Sequence, residues 1–156
     1  MRTAGFIALA FAAGLLLPGC DDKLAFEESA PLDNARWSAD RAVQFEFDME
    51  DTVVLHNLYV TIRNGEEYPY SNLYLFVELE FPNGKSATDT LDCPLADAAG
   101  NWNGSGLGDI YDHRILYRPR IQFPISGHYR VSIRQAMREE ELPGIYDVGF
   151  RVARAY

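Results

Sequence analysis

The 156-residue sequence predicts an antiparallel β-sandwich, jelly-roll-like or immunoglobulin-like, with one short helical segment. Three observations predict it. Apolar and polar residues alternate over several short stretches, turn signals built on Gly, Pro and Asn separate those stretches, and only one segment has the composition of a helix. A period of two sends one face of a strand inward and leaves the other wet. About seven to nine such strands at near-regular spacing suit two packed sheets in one domain.

In chain order the first element is a leader. Met1-Arg2 precedes an apolar run from Phe6 to Leu17, followed by Pro18-Gly19-Cys20-Asp21-Asp22. About a dozen apolar residues are too few for a membrane span, which needs about 20, so residues 1–19 read as a signal peptide. A cysteine directly after Leu-Pro-Gly resembles a bacterial lipoprotein signal, in which Cys20 becomes the new N-terminus and is acylated on its sulfur and its amine. An ordinary secretory signal would end in an Ala-x-Ala-like site, which this stretch lacks. Several acyl chains, at about 0.8 kcal/mol per buried methylene, make an anchor that hardly dissociates. The expectation is a cell-envelope protein, lipid-anchored at the inner or outer membrane and facing the periplasm, or displayed at the cell surface.

Residues 20–40 are acidic and weakly hydrophobic around Glu27-Glu28-Ser29-Ala30-Pro31 and read as a lipidated N-terminus with a flexible tether. Trp37 marks where the chain docks, and residues 41–156 are left for the sandwich domain. Val43 to Met49 alternates over its whole length and is a strand with one wet face. Thr52 to Arg63 is a second, rich in β-branched and aromatic residues and closed by a turn at Asn64-Gly65. Leu73 to Phe81 puts Leu73, Leu75, Val77, Leu79 and Phe81 on one face; Tyr74 and Phe76 on the other suggest cover on both sides at its start. Pro82-Asn83-Gly84 turns the chain into a partner strand from Lys85 to Leu91.

Asp89 to Ile110 then breaks both periods and collects Gly, Asp and Trp102 into a loop. Asp112 to Phe123 is extended but interrupted by Pro119, which cannot donate to a ladder, so it belongs at a sheet edge. His128 to Arg134 alternates cleanly, Gln135 to Leu142 is the helical candidate ended by Pro143-Gly144, and Ile145 to Ala153 is the last strand.

The formal net charge is −9, and loss of Arg2 with the leader makes it −10. So acidic a chain is a poor nucleic-acid binder, because phosphate contacts need a surplus of Lys and Arg. With Cys20 lipidated, Cys93 has no partner for an internal disulfide and reads as a small core residue. Gly104-Ser105-Gly106-Leu107-Gly108 lacks the Gly-Lys-Ser/Thr of a phosphate loop, the βα setting of a dinucleotide loop and the spacing of a nucleophile elbow. His56, His113 and His128 are isolated in sequence. Asp89, Asp92, Asp97 and Asp109 do not follow the spacing of a calcium loop, and Asx turns explain loop aspartates without an ion; calcium is the alternative reading. No metal, no cofactor and no catalytic residue is expected.

Four blocks resemble the gliding-motility lipoprotein GldH family of Bacteroidetes. They are Cys20; Tyr68-Pro69-Tyr70-Ser71-Asn72-Leu73-Tyr74-Leu75-Phe76-Val77; Asp89-Thr90-Leu91 through Leu95-Ala96-Asp97, Gly100, Trp102, Gly104, Gly106 and Gly108-Asp109-Ile110; and Gln135-Ala136-Met137-Arg138 with Leu142, Gly144-Ile145 and Asp147-Val148-Gly149. The resemblance implies a non-catalytic envelope lipoprotein needed for surface gliding and linked, through other gliding lipoproteins, to type IX secretion. Trp102, Gly104, Gly106 and Asp109 of the loop, with Gln135, Met137 and Arg138, are then the expected contacts with protein partners of that machinery. The competing expectation is a carbohydrate-binding lipoprotein in which Trp102 and nearby tyrosines stack on glycan, and it requires Trp102 to be exposed.

Overall fold

The computed structural model describes residues 23–156, so the leader and Cys20 lie outside the described residues. Ten strands follow in order: β1 (Leu24–Pro31), β2 (Arg36–Ser38), β3 (Val43–Met49), β4 (His56–Gly65), β5 (Asn72–Glu80), β6 (Ser86–Pro94), β7 (Ile110–Ile121), β8 (Gly127–Gln135), β9 (Glu141–Pro143) and β10 (Ile145–Arg154). They form one four-stranded sheet in the order β1-β10-β4-β7, a second in the order β3-β8-β5-β6, and a two-stranded ribbon of β2 with β9. Every pairing is antiparallel.

Alternation explains the inner faces. In β3, Val43, Phe45, Phe47 and Met49 are buried, and β5 buries Leu73, Leu75, Val77 and Leu79 between exposed or half-buried neighbours. Leu58, Val60 and Ile62 of β4 and Val148, Phe150 and Val152 of β10 bury the facing side. Phe47 ties the sheets together. Its ring lies 5.1 Å from Phe26, 5.6 Å from Tyr129 and 6.1 Å from Phe150, and meets Phe123 edge-on at 5.9 Å.

Several expectations hold in detail. β7, carrying Pro119, is an edge strand, and its register against β4 shifts around Leu58. The Pro82-Asn83-Gly84 turn is closed by the Gly84 amide donating to the Phe81 carbonyl at 2.9 Å. Trp37 is fully buried and donates its indole N–H to the Arg41 carbonyl at 2.9 Å.

Four features differ. Within the flexible tether expected over 20–40, Leu24–Pro31 is instead a strand that pairs along the outer edge of β10, and Phe26 stacks on Phe47. Such an edge strand keeps most side chains exposed, so its sequence carries no clean alternation. Gln135 to Leu142 is not a helix. Gln135 ends β8, and its side chain accepts from the Met137 amide at 2.8 Å and donates to the Glu139 carbonyl at 2.7 Å, which closes a turn; Leu142 then pairs with Trp37 in the ribbon. Asn64-Gly65 continues β4 rather than turning the chain. β6 runs to Pro94, so the first residues assigned to the loop are strand.

Because Phe47 touches four rings, Phe47→Ala is expected to cost about 3–5 kcal/mol of unfolding free energy. Urea denaturation checks this against Phe26→Ala, whose ring is only partly buried and whose loss is expected to cost less.

Candidate functional site

The glycine-rich segment after β6 folds back on the free edge of β7. Ser105 and Asp112 exchange both backbone hydrogen bonds, at 3.0 and 2.6 Å, and the Asn103 amide donates to the Leu95 carbonyl at 2.8 Å. Asp97 shapes the first bend. Its Oδ1 accepts from the Ala99 and Asn101 amides, both at 2.9 Å, and its Oδ2 accepts from the Asn101 side chain at 3.0 Å. Those bonds, the Asn101 side chain foremost, hold the Asp97 carboxyl below its ordinary range.

Two glycines are needed because backbone passes where a side chain would stand. A Cβ on Gly104 would lie 2.8 Å from the His113 imidazole and 2.7 Å from the Asp112 carbonyl; one on Gly106 would lie 1.8 Å from the Ile110 carbonyl oxygen. Beneath Gly104, His113 Nε2 sits 2.7 Å from Asn64 Oδ1, while the Asn64 amide donates to the Gly65 carbonyl at 3.0 Å. Oδ1 can only accept, so Nε2 carries the proton. Both residues are buried, and burial pushes the His113 pKa down, which favours the neutral imidazole.

Trp102 is half-buried, its ring 6.4 Å from Tyr68 and 5.6 Å from Tyr111. Tyr68 lies edge-on to Tyr70 at 5.8 Å, and the Tyr70 hydroxyl donates to Glu139 in the turn that Gln135 closes. The two segments singled out in the sequence therefore meet at one end of the sandwich, joined by a ridge of Tyr70, Tyr68, Trp102 and Tyr111. Their roles differ. Gln135 is buried and structural, Met137 is half-buried with its sulfur 3.3 Å from the Tyr74 amide, and Arg138 and Asp109 are exposed. The tip of the loop is Leu107, 96% exposed.

Between the loop and the outer face of the first sheet lies an open groove of about 840 Å³. Asn103 and Ser105 form one wall, Thr61, Arg63 and Arg114 the floor, and Glu27 to Ser29 the far side. Arg63 Nε bonds Asp112 at 2.7 Å, and its Nη1 lies 3.3 Å from Asp147.

Of the carboxylates at 89, 92, 97 and 109, the first three are held by neighbours, and Asp109 is exposed. Asp89 accepts from the Tyr117 hydroxyl at 2.6 Å and from Arg118, and Asp92 accepts from Asn72 at 2.9 Å. Among the described residues no three His, Cys, Asp or Glu side chains converge as a metal site. Cys93 is fully buried and its thiol is pushed up to about 12, so it is a core residue.

Residues 25–152 match the family described as GldH lipoprotein. The chain belongs to that family. It is 37% identical to the gliding motility lipoprotein GldH homolog of Christiangramia forsetii over 99% of each chain. It is 36% identical to gliding motility lipoprotein GldH of Flavobacterium johnsoniae over 97% of this chain and 96% of that one. Membership of the GldH lipoprotein family implies a lipid-anchored envelope protein. Among solved structures, the carbohydrate-binding module TmCBM61 in complex with beta-1,4-galactotriose has a TM-score of 0.39 at 9% identity, covering 85% of this chain and 91% of that one. So slight a likeness says nothing about ligands of the GldH chain.

His113, Asn64 and Tyr68 have no signal in the sequence that ties them to the loop. Gly104 is the trace of His113 and Gly144 that of Tyr68, since a Cβ at either position would run into that residue.

The buried histidines set a pH dependence. His56 and His113 have folded pKa values below the ordinary 6.5, burial being the main cause. The unfolded chain thus binds more protons below about pH 6.5. Stability is full above that pH and is lost as pH falls through the window between the unfolded and folded values. His128 acts in the opposite sense, its pKa being raised first by the bond to Asp48, so the buried contribution is read by difference: relative to the wild type, His113→Gln is expected to gain in urea midpoint at about pH 5.5 compared with about pH 7.5.

Proposed function

We propose that the protein is a non-catalytic, lipid-anchored component of gliding motility and of the associated type IX secretion machinery, and that it works by holding partner proteins at its glycine-rich end. The observation that carries this reading is the similarity, over nearly the whole length of both chains, to lipoproteins named for gliding motility. The loop supports it. Ladder bonds, close glycine packing and the aromatic ridge hold the loop in one shape, so little ordering entropy opposes docking. Leu107, Asp109 and Arg138 are presented outward on that rigid frame.

The test is chromosomal replacement by Leu107→Asp, followed by crosslinking in the native envelope and by scoring of surface spreading and type IX-dependent secretion. A loss of about 2 kcal/mol in partner binding, roughly thirtyfold, is expected for an apolar anchor at an interface centre. Unchanged spreading and secretion in a strain lacking the whole gene would remove the reading.

A second reading, carbohydrate binding, draws on a different face. Trp102 is wedged between two tyrosines, but Tyr74 and Phe76 stand 42% and 48% exposed two residues apart on β5, with Arg134 across from Phe76 in β8. Adjacent exposed rings beside a cation can stack on sugar and hydrogen-bond its hydroxyls. Native electrophoresis through gels containing envelope polysaccharide is expected to retard the wild type more than Phe76→Ala. Equal mobility of the two would dismiss it.

A further inference from the structure

The fold begins at Lys23, three residues after Cys20. Three residues reach at most about 11 Å, whereas one headgroup layer is roughly 5–7 Å thick. If the lipid at Cys20 of the proposed function sits in a bilayer, the end of the sandwich carrying Lys23 is within a few ångströms of the headgroups.

The register identifies what else lies at that end. Leu24 pairs with Ala153, Arg154 with His56 and His56 with Ile121. The Arg154 amide donates to the Lys23 carbonyl at 2.7 Å, Lys23 Nζ lies 4.6 Å from the Tyr156 ring centroid, and Arg120 Nη1 donates to the Tyr156 carbonyl at 2.8 Å. The loop before β4 joins them, since Gln122 donates to the Val53 carbonyl at 2.8 Å. Val53 and Tyr156 are 76% and 82% exposed, among the most exposed apolar side chains described. Of the neighbouring acids, Asp51 is turned onto the Val53 and Val54 amides at 2.9 Å, Glu50 is exposed, and Asp21 and Asp22 precede Lys23 in the sequence.

We propose that this end, formed by Lys23, Val53, Arg120, Arg154 and Tyr156, docks on the bilayer that holds the Cys20 lipid. Arg120 and Arg154 bind lipid phosphates, Lys23 adds positive charge beside them, and Tyr156 and Val53 enter the headgroup layer, where amphipathic rings and long basic side chains are favoured. The inference rests on lipidation at Cys20. It has a consequence for the glycine-rich loop. β4 runs ten residues from this end to the loop end, so Leu107 stands roughly 30 Å above the membrane and faces away from it.

The test uses the mature lipoprotein in phosphatidylethanolamine and phosphatidylglycerol vesicles, carrying a nitroxide on Val53→Cys or on Leu107→Cys. Cys93 is buried and does not compete for label. Vesicle flotation is scored first, then collision of the label with dissolved oxygen and with an aqueous nickel reagent. The oxygen-to-nickel ratio is expected to be several-fold higher at position 53 than at position 107. In the combined Lys23→Glu, Arg120→Glu and Arg154→Glu variant, flotation is expected to persist while position 53 falls to the ratio of position 107. Flotation with equal ratios in the unmutated background, or a ratio unmoved by the triple variant, overturns the docked face and leaves the anchor standing. Failure to float overturns the anchor and the docked face together.

Discussion

β10 needs a partner on each side, and much of the molecule follows from that constraint. Val148, Phe150 and Val152 are fully buried, and a strand so enclosed cannot leave its backbone groups to water. β4 satisfies one edge and β1 the other. Gly149 lets them close, because a Cβ there would come within 2.3 Å of the Thr61 hydroxyl and 2.8 Å of the Glu28 carbonyl. Recruiting residues 24–31 to that edge leaves three residues of sequence between Cys20 and β1, and the proposed docking of one end of the sandwich on the membrane rests on that spacing.

The raised end is built on close approach. Gly104 lies flat on His113, and His113 is held by Asn64 at the end of β4, so the loop is keyed to the sheet through a buried polar pair. Such a pair is costly unless both groups are satisfied, and here each has its partner. The ridge from Tyr70 through Trp102 to Tyr111 joins this loop to the Gln135 turn, although about thirty residues separate the two in sequence. A single shaped surface thus arises from two segments that are individually unremarkable turns.

Charge is arranged with the same economy. The chain is strongly acidic, yet several carboxylates bond within the fold: Asp97 on a bend, Asp89 with Tyr117 and Arg118, and Asp112 and Asp147 with Arg63. Exposed ion pairs of this kind add little stability, but they fix side-chain directions around the groove and leave Arg114 and Arg138 facing outward.

The sequence by itself determined the all-β class, the alternating faces of β3, β5 and β8, the edge placement of the proline-bearing β7, and the recognisable family blocks. These are legible because alternation, proline and glycine act over a few residues. The tertiary structure decided the rest. Leu24–Pro31 is a strand only because β10 offers an edge, and Gln135 to Leu142 is a turn and a ribbon only because Gln135 and Trp37 capture it. It also decided that Gly104 rests on His113 and that Trp102 lies between Tyr68 and Tyr111. Such contacts join residues far apart in the chain, and no local pattern records them; the energy that selects them exists only once two sheets have closed on one core.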